Sequence, residues 1–320
     1  MAERPDSTTP QPPPLKRRGS GPRDPEAPSF SEERVGGGEI AQVLRKATEQ
    51  LERTSDTPRL DAELLMAHAL GLSRSELLLR HMRDAPPASF AGLAARRARH
   101  EPVAYITGRQ EFYGRDFAVS PAVLIPRADS ETVIEAALEA APAPARVLDC
   151  GTGSGALLLT VLAECPGAQG VGIDRSDAAL AVARANAAAL GLGERAQLLR
   201  HDWTQAGWAD GLGRFGLILA NPPYVEADAP LDPDVREWEP AGALFAGAEG
   251  LDDYRALIPQ LPGLLEAGGA AVLEIGAGQA EVVEELAREV GFDAVLHRDL
   301  GGRARALTLR FFLGKTPGTV

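Results

Sequence analysis

The stretch Arg146-Val-Leu-Asp-Cys-Gly-Thr-Gly-Ser-Gly155 decides the fold of this chain. A short run of β-forming residues leads into a loop with three glycines, and residues 156–163 then have the composition of a helix. Glycine permits positive φ and lets a ligand approach the backbone, while the N-terminus of the following helix supplies free N–H groups. The stretch therefore predicts a strand, a ligand-binding loop and a helix, in that order.

A second strand candidate, residues 170–173, ends at Asp174. An acid at that position can accept hydrogen bonds from ribose hydroxyls. Ser176 suits the N-cap of the next helix, which leaves Asp174 available to a ligand. Nucleotide-binding dehydrogenases share this layout, but the glycine spacing here is G-x-G-x-G rather than G-x-G-x-x-G. The spacing favours S-adenosyl-L-methionine (AdoMet) over NAD.

Strands and helices alternate through residues 128–320, which predicts an α/β domain with a mainly parallel, Rossmann-like sheet. The strand candidates are residues 146–150, 170–173, 197–200, 217–220, 270–275, 294–298 and 306–311. The last two are separated by a loop at Gly301-Gly302 that is too short for a helical crossover, so we expect the final pair to be antiparallel. A seven-stranded sheet with a reversed last strand is the architecture of class I AdoMet-dependent methyltransferases.

Asn221-Pro-Pro-Tyr224 follows the fourth strand candidate and predicts the chemistry. Proline fixes φ and extends the residue before it, so two prolines make a stiff corner. The Asn221 side-chain oxygen and the Pro222 carbonyl then form two adjacent acceptors for one planar –NH2 group, and Tyr224 offers an aromatic face. We expect the corner to hold an amino or amide nitrogen for methylation. An ordinary turn is the alternative, since Asn-Pro and Pro-Pro are common in turns.

The composition excludes several classes of protein. The formal net charge of −12 over 320 residues argues against an extended nucleic-acid-binding surface. No apolar stretch approaches the ~20 residues needed to span a bilayer, and the N-terminus lacks the apolar core of a secretory signal. Cys150 and Cys165 indicate neither a disulfide framework nor a metal cluster, and Cys150 is expected to pack at the end of its strand. We therefore expect a cytoplasmic protein without a metal and without membrane contact.

Three segments precede the α/β domain. Residues 1–37 are rich in Pro, Ser, Gly and charge and are predicted to be a disordered extension. Residues 38–104 have helical periodicity and are predicted to form a small helical domain. Residues 105–127 contain an alternating pattern that predicts a β-hairpin linker. An ion pair between Arg127 and Glu131 could fix this linker, or be a surface pair of little consequence.

The residues resemble a known family, the protein-(glutamine-N5) methyltransferases of the PrmC/HemK type, which modify peptide chain release factors. The resemblance runs from about residue 40 to residue 311. Besides the glycine loop and the Asn-Pro-Pro-Tyr corner, it rests on Asp61-Ala-Glu-Leu-Leu65, Pro102-Val-Ala-Tyr-Ile-Thr-Gly108, Glu111-Phe-Tyr-Gly114, Val123-Leu-Ile-Pro-Arg127, Glu239-Pro240, Gly250-Leu-Asp-Asp-Tyr254 and Leu273-Glu-Ile-Gly276. Ala128 stands where the family usually has proline, and Cys150 where it usually has leucine.

The resemblance implies a role for each site residue. The cofactor AdoMet, which becomes S-adenosyl-L-homocysteine, would contact Gly151, Thr152, Gly153, Ser154, Gly155, Asp174, Asp202, Trp203 and Asn221. The substrate glutamine would be held by Asn221, Pro222, Pro223 and Tyr224, with Asn221 and Pro222 as the catalytic pair. The implied substrate is the glutamine of the Gly-Gly-Gln motif of class 1 release factors, and the helical domain would bind the release factor.

Three other functions compete with this interpretation. A nucleic-acid amino methyltransferase of the N6-adenine type also uses an (Asn/Asp)-Pro-Pro-(Tyr/Phe) corner, but it would need a basic target-recognition surface. A catalytically silent AdoMet-binding scaffold would have no use for the corner. An NAD-dependent dehydrogenase would need a different glycine spacing.

Overall fold

The computed structural model describes residues 39–311, so the prediction of a disordered extension over residues 1–37 lies outside the described residues. The N-terminal helices are α1 (Ile40–Leu51), α2 (Pro58–Leu70), α3 (Arg74–Glu76) with a π-helical turn (Leu77–His81), α4 (Phe90–Arg97) and α5 (Val103–Thr107). A hairpin of β1 (Arg109–Phe112) and β2 (Arg115–Ala118) follows them, which confirms the predicted hairpin.

Apolar spacing and one buried ion pair organise the N-terminal helices. The apolar face of α1 is fully buried and packs against α2; it consists of Ile40, Leu44, Ala47 and Leu51. α2 ends at Gly71, whose φ of +68° is the left-handed conformation that favours glycine. Asp61 of α2 and Arg97 of α4 are both buried, and their 2.6 Å ion pair joins the two helices.

The rest of the described chain forms a seven-stranded sheet flanked by helices. The strands are β3 (Arg146–Cys150), β4 (Gln169–Asp174), β5 (Ala196–Arg200), β6 (Phe215–Ala220), β7 (Leu265–Glu274), β8 (Phe292–Arg298) and β9 (Ala304–Phe311). The helices are α6 (Glu131–Ala140), α7 (Ala156–Glu164), α8 (Asp177–Ala189), α9 (Pro233–Arg236), α10 (Asp252–Leu257), α11 (Leu261–Leu264) and α12 (Ala280–Glu289), with 3-10 turns at Ala128–Ser130, Ala241–Ala243 and Ile258–Gln260.

The strand order is β5-β4-β3-β6-β7-β9-β8. The strands from β3 to β7 pair in parallel, whereas β9 is antiparallel to both β7 and β8. Each of the seven predicted strands is present, and the predicted reversal of the last strand is confirmed.

Apolar layers cover both faces of the sheet. Successive residues of a strand point to opposite faces, so Leu148 and Cys150 pack with Tyr254 of α10 on one face. Val147 packs with Leu158 of α7 on the other. The expected burial of Cys150 at the end of its strand is therefore confirmed. Within residues 39–311, no helix is both long and apolar enough to cross a membrane.

The side chain of Asn186 in α8 joins the hairpin to the glycine loop by hydrogen bonds. Its side chain is buried, and its amide nitrogen donates to the carbonyls of Ala118 (3.0 Å) and Ser154 (2.8 Å). Its oxygen accepts from the Ala118 N–H at 2.7 Å. One side chain therefore satisfies three backbone groups of two segments that are far apart in sequence.

The expected ion pair between Arg127 and Glu131 is wrong. Arg127 pairs instead with Glu239, whose carboxylate also accepts from the Ile125 N–H at 3.1 Å. The Glu239 side chain is 1% exposed, and a desolvated carboxylate requires such partners. Glu131, at the start of α6, accepts from the Tyr113 N–H at 2.9 Å. The linker is thus tied to the segment that follows the Asn-Pro-Pro-Tyr corner.

Replacing Asn186 with alanine removes the partners of two partly buried backbone groups of Ala118 and of the buried Ser154 carbonyl. We expect Asn186→Ala to lower the free energy of unfolding by roughly 2–4 kcal/mol, measured by urea denaturation. The exposed Glu194 provides a control, and Glu194→Ala should change that free energy by less than about 0.5 kcal/mol. An Asn186→Ala variant as stable as this control would show that the three bonds do not hold the hairpin in place.

Candidate active site

A cavity of about 190 Å³ opens at the carboxyl ends of β3, β4, β5 and β6. Its lining includes nine residues of the predicted site: Gly151, Thr152, Gly153, Ser154, Asp174, Asp202, Trp203, Asn221 and Pro223. Of the described residues in that prediction, Gly155, Pro222 and Tyr224 lie outside the lining. The structure thus brings the glycine loop, the acid after β4 and part of the corner to one cavity.

The glycine loop is shaped by its neighbours. Gly151 has a φ of +78°, and a Cβ there would lie 3.1 Å from the Trp203 ring, so that ring packs directly on the loop. Gly155 has a φ of +83°, and a Cβ there would lie 2.9 Å from Leu159. Gly155 is therefore required for the tight start of α7, behind the cavity lining.

Asp174 is placed as the sequence predicts, and it also shapes the loop. Its carboxylate accepts from the Gly153 N–H at 3.0 Å and from the Ser176 N–H at 2.9 Å. The Ser176 hydroxyl accepts from the Ala179 N–H at 3.2 Å, which confirms the predicted N-cap of α8. Asp174 consequently fixes the glycine loop while facing the cavity.

Asp149 is a residue that the sequence reasoning missed. It is buried, lines the cavity and accepts from the Thr152 hydroxyl at 2.7 Å, but its Oδ1 has no hydrogen-bond partner among residues 39–311. Burial raises its pKa from 3.8 to about 7. Its position as the penultimate residue of β3, two residues before Gly151, was the available signal.

Acidic side chains dominate the charge of the cavity. Asp149, Asp174 and Asp202 line it, against the single guanidinium of Arg175 among the described lining residues. Arg175 donates to the Gly242 carbonyl at 2.6 Å, across the cavity from β4. A cleft whose charged side chains are mainly acidic favours a cationic ligand over a pyrophosphate.

Trp203 forms the wall after β5. Its indole N–H donates to the Asp253 carboxylate at 3.1 Å, and burial raises the pKa of Asp253. Asp202 accepts from both the N–H (2.9 Å) and the hydroxyl (2.7 Å) of Thr204. These hydrogen bonds hold Asp202 and Trp203 in place at the cavity.

The corner is anchored by its tyrosine. Pro222 and Pro223 are buried, and Asn221 is half-buried and faces the cavity. The Tyr224 hydroxyl donates to the buried Glu274 carboxylate at 3.3 Å. Burial and the neighbouring Glu274 raise the pKa of Tyr224 well above its usual value, so the phenol stays protonated and does not serve as a base. Glu274 belongs to the Leu273-Glu-Ile-Gly276 motif, for which the sequence alone predicted no role.

A metal site is not evident in the described part of the chain. Among residues 39–311, no group of three or more His, Cys, Asp or Glu side chains is arranged to hold a metal ion.

Known proteins match this chain over most of its length. It is 44% identical over 277 residues to the release factor glutamine methyltransferase of Cereibacter sphaeroides, which covers 84% of this chain and 98% of that protein. It is 42% identical over 264 residues to the protein of the same name from Geobacter sulfurreducens, covering 80% of this chain and 90% of that protein. This chain belongs to the release factor glutamine methyltransferase family.

Family profiles agree with this membership. The PrmC N-terminal domain matches residues 42–108, and the methyltransferase small domain matches residues 129–235. Among solved structures, the hMettl16 catalytic domain in complex with MAT2A 3′UTR hairpin 6 has a TM-score of 0.51 at 16% identity. That similarity covers 71% of this chain and 84% of the solved chain, and it concerns the fold alone. The predicted class I methyltransferase fold and the predicted family are confirmed.

The buried carboxyl group of Asp149 predicts a pH effect on stability. The folded protein keeps this group protonated up to about pH 7, whereas the unfolded chain releases the proton near 3.8. The folded state binds more protons between these values, so this group lowers stability as the pH rises from about 4 to about 7. Asp149→Asn removes that contribution, which at about 1.4 kcal/mol per pKa unit amounts to at most about 4 kcal/mol.

Urea denaturation without ligand from pH 4.5 to 7.5 provides the measurement. As the pH rises, the free energy of unfolding of the Asp149→Asn variant should increase relative to that of the wild type. Other effects of the substitution give a constant offset, so a difference that does not change with pH would contradict the buried, protonated state of Asp149.

Proposed function

We propose that this protein transfers a methyl group from AdoMet to the side-chain amide nitrogen (N5) of a glutamine in its protein substrate. The glutamine is that of the Gly-Gly-Gln motif of class 1 peptide chain release factors, and S-adenosyl-L-homocysteine is the second product. The observation that carries the proposal is the Asn221-Pro-Pro-Tyr224 corner beside the glycine-loop cavity, in a chain of this family. In this role the protein acts in the cytoplasm and supports translation termination.

The cavity has features that fit AdoMet. The unpartnered Asp149 oxygen would form a hydrogen bond with a polar group of the ligand, and Asp174 at the tip of β4 would accept from the ribose hydroxyls. Trp203 offers an apolar wall to the adenine, with Asp202 as a polar contact. The glycine loop of residues 151–155 would surround the methionine part. Bound AdoMet supplies a methyl group already activated by the sulfonium, so the proposed reaction uses no metal.

The corner would overcome the poor nucleophilicity of an amide, whose nitrogen lone pair is delocalised into the carbonyl. The Asn221 side-chain oxygen and the Pro222 carbonyl would each accept one hydrogen of the –NH2 group and turn the nitrogen towards the methyl donor. The same acceptors would stabilise positive charge that develops on nitrogen. Holding the reactants in line supplies much of the acceleration. The Tyr224 ring would cover the flat amide, and the proton can leave after the transfer.

The helical domain of residues 38–104 would bind the body of the release factor, and residues 105–127 would link it to the catalytic domain of residues 128–320. Two contacts support this division. Buried Arg97 of the helical domain lies 3.7 Å from Asp234 of α9, which follows the corner in sequence. The linker also lines the cavity, through residues that include Phe112, Val123, Leu124 and Pro126. A substrate bound to the helices would therefore lie near the corner.

Mass spectrometry of a class 1 release factor, incubated with the protein and AdoMet, tests the proposal. We expect one added methyl group on the glutamine of the Gly-Gly-Gln motif, and none on a release factor in which that glutamine is replaced by glutamate. Adenine-containing DNA and RNA serve as parallel substrates. Methylation of a nucleic acid but not of the release factor would establish the rival amino methyltransferase activity. AdoMet binding without any methylation would indicate a scaffold.

The corner predicts a ranking of kcat among Asn221 variants at saturating AdoMet. Asn221→Ala removes one of two acceptors and should lower kcat by roughly 10²–10³, as the loss of one preorganised hydrogen-bond partner does. Asn221→Asp keeps an acceptor and adds a negative charge, so it should rank between wild type and alanine. An alanine variant as fast as wild type would mean that the corner is only a turn.

Asp174 predicts the identity of the cofactor. Asp174→Ala removes a charged acceptor and a support of the glycine loop, so AdoMet binding should weaken by about 1.5–3 kcal/mol in isothermal titration calorimetry. The same titration with NAD is the control. Tight binding of NAD by the wild type, without binding of AdoMet, would rule out the proposed cofactor.

A further inference from the structure

Two glutamine side chains with the same pattern of hydrogen bonds lie behind different parts of the site. Gln279 directly precedes α12, and Gln260 ends the 3-10 turn before α11. Both are half-buried, and neither is among the described residues that line the cavity. Each therefore acts on the site through other residues.

Gln279 holds the carbonyl end of the corner. Its amide nitrogen donates to the carbonyls of Tyr224 (3.0 Å) and Gly250 (3.1 Å), and its oxygen accepts from the Gly276 N–H at 3.1 Å. The fit around these bonds is tight, because a Cβ at Gly250 would lie 2.3 Å from the Tyr224 carbonyl oxygen. One side chain thus joins the corner to the loop before α10 and to the end of β7.

The Gln260 side chain binds the backbone of Trp203, the residue that forms the wall after β5, in the same way. Its amide nitrogen donates to the carbonyls of Trp203 (3.0 Å) and Ala256 (2.7 Å), and its oxygen accepts from the Trp208 indole N–H. In both glutamines every N–H and the oxygen are used, and a flipped amide would place like groups against each other. The orientation of each side chain is therefore fixed by its surroundings.

We propose that these glutamines are positioning residues with separate tasks. Gln279 sets the substrate corner through the Tyr224 backbone, and Gln260 sets the cofactor wall through the Trp203 backbone. The task of Gln279 rests on the proposed function, because it presumes that the corner binds the substrate amide. The loss of either glutamine leaves two backbone carbonyls without their donors, which allows the attached segment to shift.

The test compares Gln279→Met and Gln260→Met in the full chain, since methionine keeps the length of the side chain and removes its hydrogen bonds. Calorimetry gives the Kd of AdoMet, and steady-state methylation of a release factor at saturating AdoMet gives kcat and KM. Gln279→Met should lower kcat roughly tenfold, and its effect on the AdoMet Kd should be several times smaller. Gln260→Met should raise the AdoMet Kd roughly tenfold, and its effect on kcat should be several times smaller. Gln197, exposed on β5, gives the matched control Gln197→Met, in which both quantities should stay within about twofold.

Glutamate variants separate positioning from loss of folding. Gln279→Glu and Gln260→Glu keep the acceptor oxygen and lose the donors aimed at Tyr224 and Trp203, so they should repeat the same split. Parallel changes of kcat and Kd in either pair, accompanied by an equal loss of unfolding free energy, would overturn the assignment. If the wild type methylates no release factor, the proposed function fails. In that case the AdoMet affinities alone test the inference. It is overturned if Gln279→Met raises the AdoMet Kd as much as Gln260→Met does.

Discussion

The parallel pairing of β3 with β4 and β6 is the constraint on which the site depends. Cys150, the last residue of β3, lies beside Ile173 of β4 and Ala220 of β6. Parallel strands end at the same edge of a sheet, so the segments that follow these residues meet there. The Gly151 and Thr152 N–H groups both donate to the Ile173 carbonyl, at 2.9 and 2.8 Å, which extends the pairing into the glycine loop. A shift of this register would separate the cofactor loop from the corner.

Buried polar groups lie around Glu274, the carboxylate that anchors the corner through Tyr224. Arg305 of β9 is 9% exposed, and it binds Asp129 at 2.8 Å and Asp299 at 3.4 Å. The Glu274 carboxylate lies in the same region, where burial raises its pKa and the Tyr224 hydroxyl and Arg305 oppose that shift. Buried ionic groups are costly to desolvate, and removing one partner leaves the other charge buried and uncompensated. The reversed strand β9 thereby places a positive charge near the carboxylate that accepts from the Tyr224 hydroxyl.

Local patterns predicted most of the fold, and long-range pairing accounts for the differences. The sheet, its reversed strand and the hairpin follow from alternation, glycine position and loop length. The ends of strands were placed less well: β7 begins at Leu265 rather than at residue 270, because Leu265 pairs with Phe215 of β6. A local sequence pattern does not show such a partner. In addition, Gly268-Gly269 within β7 interrupts the pattern of β-forming residues by which a strand is predicted.

Residues that line the cavity could be indicated from the sequence where they belong to a recognisable motif. Residues 151–154 of the glycine loop, Asp174 and Asn221 were proposed for that reason, and the cavity lining includes them. The contacts of Gln279 and Glu239 were not predicted, because their partners, Tyr224 and Ile125, lie 55 and 114 residues away in sequence. The wrong partner for Arg127 has the same origin, since Glu131 is close in sequence while Glu239 is close in space.

A crystal structure of the protein with S-adenosyl-L-homocysteine and a peptide containing the Gly-Gly-Gln motif would test the central claim most directly. The decisive distances join the glutamine amide nitrogen to the Asn221 side-chain oxygen and to the Pro222 carbonyl oxygen. Both should be normal hydrogen bonds of ~2.7–3.2 Å, with the nitrogen facing the sulfur of the cofactor product. A glutamine bound with its –NH2 group turned away from these two oxygens would contradict the account.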